Sequence, residues 1–106
     1  MKGDYRLVVT TAGNIDEAER IARKLVEKRL AACVNIVPKI RSVYRWQGRV
    51  EVDREALLLV KTTAKRIEKI KKRIRKLHSY EVPEILVFDI ADGDDAYLRW
   101  LDSAVK

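Results

Sequence analysis

The sequence predicts an α+β domain built as a split βαβ unit: four antiparallel strands in the order β-α-β-β-α-β, with a further helix at the C-terminal end. Three observations lead there. Two stretches, 15–29 and 65–77, carry apolar residues at helical spacing, and each follows a continuous apolar or β-branched run that suits a central strand. Residues 40–54 alternate apolar with polar side chains about Gln47-Gly48, the mark of a hairpin. A last apolar run, Ile85 to Ile90, supplies the fourth strand.

Each element has a local reason. Tyr5 to Thr11 is rich in β-branched residues, and Ala12-Gly13-Asn14 ends it. Asn14 followed by Glu17 is a capping-box pattern, after which Ala18, Ile21, Ala22, Leu25 and Val26 recur at helical spacing. This predicts a helix over 15–29, with Asp16, Glu17 and Glu19 near its start and Lys24, Lys28 and Arg29 near its end, as the helix dipole favours. Ala31 to Val37 reads as a buried strand that Pro38 interrupts at an edge or bulge. In the hairpin, Ile40, Ser42, Tyr44 and Trp46, then Val50 and Val52, alternate with their neighbours, whereas Ala56 to Val60 is solidly apolar. A two-faced arm therefore projects from a base buried on both sides. Thr62-Thr63 stand where they would cap the second helix, whose Ile67, Ile70, Ile74 and Leu77 form one narrow apolar stripe. Tyr80 to Glu84 is a loop or edge segment, and Ile85 to Ile90 a final core strand. After Asp92-Gly93-Asp94, a short helix carries Ala96, Tyr97, Trp100, Leu101 and Ala104. This order is the ferredoxin-like one. Both long helices then cover one face of the sheet and leave the other bare, so oligomerisation is expected, with the 40–54 hairpin pairing with a neighbouring subunit.

The 106 residues, 47% of them apolar, fit one domain over 1–106 rather than a disordered basic tail. No apolar run approaches the roughly 18 residues of a membrane span, and Met1 to Tyr5 lacks the apolar segment of a secretory signal, so a cytoplasmic protein without membrane contact is expected. Cys33 and His78 are alone of their kinds, which removes intrachain disulfides, CxxC pairs and His/Cys zinc fingers. A charged fraction of 37% with scarce cysteine and methionine is a profile of thermophilic proteins. The net charge of +7 is local: residues 65–76 hold eight basic residues and one acid, which leaves 15 of each sign elsewhere. From Glu81 to Asp102 the bias reverses, with seven acids against Arg99.

Such a basic helix raises nucleic-acid binding. Ferredoxin-like RNA-binding domains read bases with aromatics on their central strands, and Leu7 to Thr11 and Ala56 to Val60 contain none. Non-specific, salt-dependent attraction is all that charge alone supports, and no specific nucleic acid is expected. Catalysis lacks its parts as well: Ser103 has no histidine in a recognisable motif, and no glycine-rich phosphate loop occurs.

The remaining polar residues each carry two readings. Cys33, between Ala32 and Val34, is a small buried hydrophobe or a free thiol. His78 follows the last turn of the basic helix, where it caps carbonyls or packs, or else serves as a ligand or acid/base group. Tyr44 and Trp46 share one face of the hairpin, as interface anchors rather than a catalytic pair. Lys61, Thr62 and Thr63 lie where a strand enters a helix that opens with Lys65 and Arg66, a placement that opposes the dipole and suits either solvated lysines or a bound small anion. Glu81 and Glu84 flank Val82-Pro83 and, with His78 and Tyr80, form the densest polar group outside the basic helix; they are either solvated surface acids or carboxylates that suit a hard divalent ion.

Five stretches also fall in register with a known family. Leu30-Ala31-Ala32-Cys33-Val34-Asn35, Ser42-Val43-Tyr44-Arg45-Trp46-Gln47-Gly48, Leu59-Val60-Lys61-Thr62-Thr63, His78-Ser79-Tyr80-Glu81-Val82-Pro83-Glu84-Ile85 and Tyr97-Leu98-Arg99-Trp100-Leu101 resemble the divalent-cation tolerance protein CutA family. The resemblance runs from about Val8 to Ser103. It implies a ferredoxin-like subunit in a homotrimer similar to that of the PII signalling proteins, a cytosolic role in tolerance of divalent metals, and copper or another divalent ion bound weakly at intersubunit clefts. A PII-like site for a small anion or metabolite at Lys61, Thr62, Thr63 and Tyr80 is the alternative it offers. In members with proposed copper ligands, a cysteine ends the first strand and two histidines precede a Pro-Tyr pair. Here those positions are Thr10, Leu77 and His78, and Ser79 stands at the proline.

Overall fold

A computed structural model describes residues 4–105. Met1 to Gly3 and Lys106, the ends of the predicted 1–106 domain and most of the segment read for a secretory signal, lie outside the described residues. The chain forms β1 (Tyr5–Ala12), α1 (Ile15–Glu27), β2 (Cys33–Trp46), β3 (Arg49–Thr63), a 3-10 turn (Ala64–Arg66), α2 (Ile67–Leu77), β4 (Ile85–Asp89) and α3 (Asp95–Ala104). One antiparallel sheet runs β2-β3-β1-β4. The split βαβ expectation is thereby met.

β1 pairs with β3 only from Ala56 to Thr63, so residues 49–55 of β3 have β2 as their single partner. That two-stranded stretch is the arm, and it stretches the molecule to 44 × 25 × 23 Å. The register shifts between Val37 and Ile40, which places Pro38 and its missing N–H at a β-bulge with Lys39 at φ 60°. At the tip, Gln47 and Gly48 take φ of 51° and 78°, as a two-residue hairpin loop that follows the strand twist requires.

The helices cover the face that carries Val8, Leu58 and Val60. Ala18, Ile21, Ala22 and Leu25 of α1 and Ile70 and Ile74 of α2 are buried there, with Ile67 and Leu77 partly buried at the margins. α1 stops at Glu27, two residues before its expected end, because Arg29 adopts φ 60°. The Arg29 and Leu30 N–H groups then bond the carbonyls of Val26 and Leu25 and turn Leu30 into the core, while Val26 stays exposed. The basic helix opens through the 3-10 turn, and neither threonine caps it: Thr63 makes no side-chain cap bond, and Thr62 is fully buried, its hydroxyl donating to the Leu30 carbonyl at 2.6 Å.

Two expectations about the far face need correction. It is not wholly bare: α3 packs Leu98, Leu101 and Val105 against Tyr5 and Ala32, and Tyr5 donates its hydroxyl to Asp102 at 2.7 Å. The inward stripe of α3 is therefore Leu98, Leu101 and Val105, and Tyr97 and Trp100 point outward. β4 is an edge strand rather than a core strand, with Leu86, Val87 and Phe88 at 40% exposure or more. α2 and α3 lie on opposite faces, and no ion pair joins the basic helix to the acidic C-terminal region among the described residues.

Glu17 ties these parts together. Asn14 accepts from the Glu17 N–H at 2.8 Å, the expected half of the capping box, but the Glu17 carboxylate reaches past it to the Gly13 N–H at 3.3 Å and the Ser79 N–H and hydroxyl at 2.7 and 3.1 Å. Burial works to raise this carboxyl, yet the Ser79 and Gly13 hydrogen bonds outweigh it and hold it below its ordinary 4.5. The fold thus favours the ionised form. Its contribution is complete above pH 4.5 and is lost as pH falls through the lower folded value. Glu17→Gln is expected to cost about 1–3 kcal/mol at neutral pH and to flatten that acid limb, as denaturant melts across pH would show. Thr62→Val, which keeps the shape but strands the Leu30 carbonyl, is expected to cost a similar ~1–3 kcal/mol by the same measurement.

Candidate functional site

Beyond the bulge, alternation along β2 puts Ser42, Tyr44 and Trp46 on one side of the arm, and pairing across to β3 adds Asp53 and Glu55 to that side. The 78–84 segment leaves the end of α2 and folds over the same side. It is held by the Glu17 bonds to Ser79 and by Tyr80, whose hydroxyl donates to Glu55 at 2.7 Å. Between arm and loop lies a cleft of about 630 Å³ lined by Thr11, Ser42, Val43, Tyr44, Trp46, Glu55, Tyr80, Glu81, Val82 and Glu84. Three of the lining residues are acids and none is basic.

Both cleft phenols are donors. Tyr44 gives its hydroxyl to Asp53, and that hydrogen bond, with some burial, pushes its pKa up to about 12. Burial and the bond to Glu55 push Tyr80 up still further. Neither hydroxyl loses its proton near neutral pH, so they orient carboxylates rather than act as bases. Gly13 sits directly behind Tyr80, where a Cβ would come within 3.3 Å of the phenol oxygen.

His78 belongs to the support, not to the wall. Its ring is buried 4.6 Å from that of Tyr80, centroid to centroid. Nδ1 accepts the Tyr80 N–H at 3.0 Å, which puts the ring proton on Nε2, and Nε2 donates to the Thr11 carbonyl at 2.6 Å. The His78 N–H also bonds the Ile74 carbonyl and ends α2. With both nitrogens engaged, the residue ties β1 to the loop.

The expected sites therefore separate. Glu81, Glu84, Tyr80, Tyr44 and Trp46 come together in the cleft, with Tyr44 and Trp46 40% and 47% exposed. Lys61 and Thr62 are not brought to one space: alternation turns Thr62 under the helices, and sends Lys61 to the far face beside Asn35, with Cys33 Sγ 4.0 Å from its Nζ. Tyr80 meets Glu55, six residues or about 20 Å along β3 from Lys61. The copper positions do not fit copper either. The Thr10 hydroxyl is buried without a partner among the described residues, Leu77 packs at the core margin, and His78 is engaged, whereas copper(II) favours open imidazole and thiolate groups. Among the described residues no three His, Cys, Asp or Glu side chains gather as a metal site.

Ser42 and Glu55 are cleft residues that sequence reasoning passed over. Their signal was present in the alternation of the arm, which places them on the face of Tyr44.

Comparison with known proteins agrees over nearly the whole chain. The family model described as CutA1 divalent ion tolerance protein matches residues 6–104. The divalent-cation tolerance protein CutA of Thermus thermophilus is 54% identical over 95 residues, covering 90% of this chain and 92% of that protein. The chloroplastic Protein CutA of Arabidopsis thaliana is 40% identical over 100 residues, and there the chain covers 94% of itself and 55% of the relative, about half its length. Among solved structures, the Thermus thermophilus divalent cation tolerance protein (Cut A1) superposes with a TM-score of 0.93 at 50% identity, covering 96% of this chain and 99% of that one. CutA1 from Oryza sativa gives 0.95 at 36% identity, covering 99% and 96%. On this footing the chain belongs to the CutA1 divalent ion tolerance family.

Proposed function

We propose that this protein acts in divalent-cation tolerance as a cytoplasmic homotrimer that binds rather than catalyses, and that its arm cleft takes a hard divalent ion, weakly, against a neighbouring subunit. The observation that carries this is the lining of the cleft: Glu55, Glu81 and Glu84 border one space with no cation among its walls, and because within one subunit they do not gather closely enough to hold an ion, a neighbouring subunit would have to complete the site. Oxygen donors of this kind suit hard ions. Copper is disfavoured, because the one imidazole is engaged behind the wall and the lone thiol stands on the far face beside Lys61. The unpaired Cys33 suits a reducing compartment.

Assembly follows from what the subunit leaves uncovered. Leu86 and Phe88 on the far face, and Val43, Val50 and Val52 on the back of the arm, are about half exposed or more. Surfaces of that kind ask for a partner. Homotrimer formation supplies one and would close the open side of the cleft.

Titration of the assembled protein with Mn²⁺ and with Cu²⁺ tests the metal reading. Glu81→Gln/Glu84→Gln is expected to weaken Mn²⁺ binding at least about tenfold, while His78→Gln, whose amide can still accept from the Tyr80 N–H and donate to the Thr11 carbonyl, weakens it no more than about threefold. Stronger Cu²⁺ than Mn²⁺ binding that His78→Gln abolishes would reverse the assignment. For assembly, Trp46→Ala is expected to shift sedimentation from trimer toward monomer with circular dichroism unchanged, and an intact trimer would remove Trp46 as an anchor.

A further inference from the structure

On the helix-covered face, between the end of α1 and the middle of α2, a second concavity of about 430 Å³ is lined by Lys28, Leu30, Lys69, Lys72, Arg73 and Lys76. The four α2 residues recur at spacings of three, one and three, so they form one stripe beside the buried Ile70 and Ile74. Lys28 meets them from the C-cap of α1. Five cations from two elements thus converge on one space, with Leu30 as the single apolar wall.

The usual reasons for such lysines do not account for the group. Among the described residues none of the five has an ion-pair partner; the ion pair on α2 joins Lys71 to Glu68, and Lys71 is not part of the groove. Nor are they needed to cap α1, because the carbonyls of Lys24, Leu25 and Val26 are already taken by backbone N–H groups. The dipole of α2 accounts for Lys76, in its last turn, but not for Lys69, Lys72 or Arg73, which lie before that turn. Five like charges held this close repel one another, and a multivalent anion relieves the repulsion. The volume is that of a small-ligand pocket rather than an extended track. No aromatic ring lines it to stack a base, so what it offers a ligand is charge, which suits a chain of phosphates.

We propose that this groove binds an oligophosphate chain, either free or as the tail of a nucleotide. The test is calorimetry on the assembled protein, freed of divalent ions, with tripolyphosphate, ATP, AMP and a short DNA duplex at low and physiological salt. Tripolyphosphate is expected to bind once per chain and AMP not to bind. Tighter tripolyphosphate than ATP identifies the free chain as the ligand; tighter ATP identifies the nucleotide tail. Lys72→Gln/Arg73→Gln is expected to weaken tripolyphosphate at least about tenfold, while Lys65→Gln/Arg75→Gln, which removes the same charge outside the groove, weakens it no more than about threefold. No heat with tripolyphosphate, equal loss in both double variants, or tighter binding of duplex per chain than of tripolyphosphate would each overturn the assignment.

Discussion

One buried carboxylate holds the molecule's working end in place. Glu17 accepts from the last residue before the α1 cap and from the first residue after His78, so the turn after β1 and the turn after α2 share a single acceptor. His78 then bridges β1 and the Tyr80 backbone, and Tyr80 reaches the arm through Glu55. The chain of contacts runs from helix start to loop to arm without a gap. A group of this kind is costly to bury and stable only when fully satisfied, so it fixes one geometry where an apolar contact would tolerate several.

Much of the fold was legible because it is local. The α2 stripe, the Asn14 cap, the bulge at Pro38 and the turn at Gln47-Gly48 are all set by spacing or by a single residue's backbone preference. Legibility failed where two parts of the chain compete for one group. Thr62 has the sequence context of a cap, but the Leu30 carbonyl, brought near by the end of α1, takes its hydroxyl first. In α3 the aromatic rings of Tyr97 and Trp100 outweigh Leu98 in any count of apolar surface, yet Tyr5 and Ala32 on the sheet meet the leucine stripe. For His78 the sequence left capping or packing open beside a ligand role, and only the Thr11 carbonyl, 67 residues away, shows that its ring is packed inside. The cleft was half visible: its loop acids were evident, whereas Glu55 became a wall residue through the strand register and the reach of Tyr80.

The charge of the chain resolves into two surfaces with opposite character. The acids of the cleft sit between arm and loop, and the cations of α2 lie on the helix layer with Lys28. Neither surface neutralises the other through an ion pair among the described residues. The net surplus of seven describes no part of the molecule well, because it averages two fields that a ligand would meet separately.

The bulge at Pro38 and Lys39 separates two things that a regular hairpin would couple. The surplus residue is absorbed between Val37 and Ile40, and from Ile40 outward every residue of β2 keeps its partner on β3. Removing it would leave the composition of each arm face intact and change only the local bend and twist, hence the angle at which the arm leaves the sheet. The aim of the arm and the identity of its surface are therefore written in different residues, so the mouth of the cleft can be widened or narrowed over generations without altering a single group that lines it.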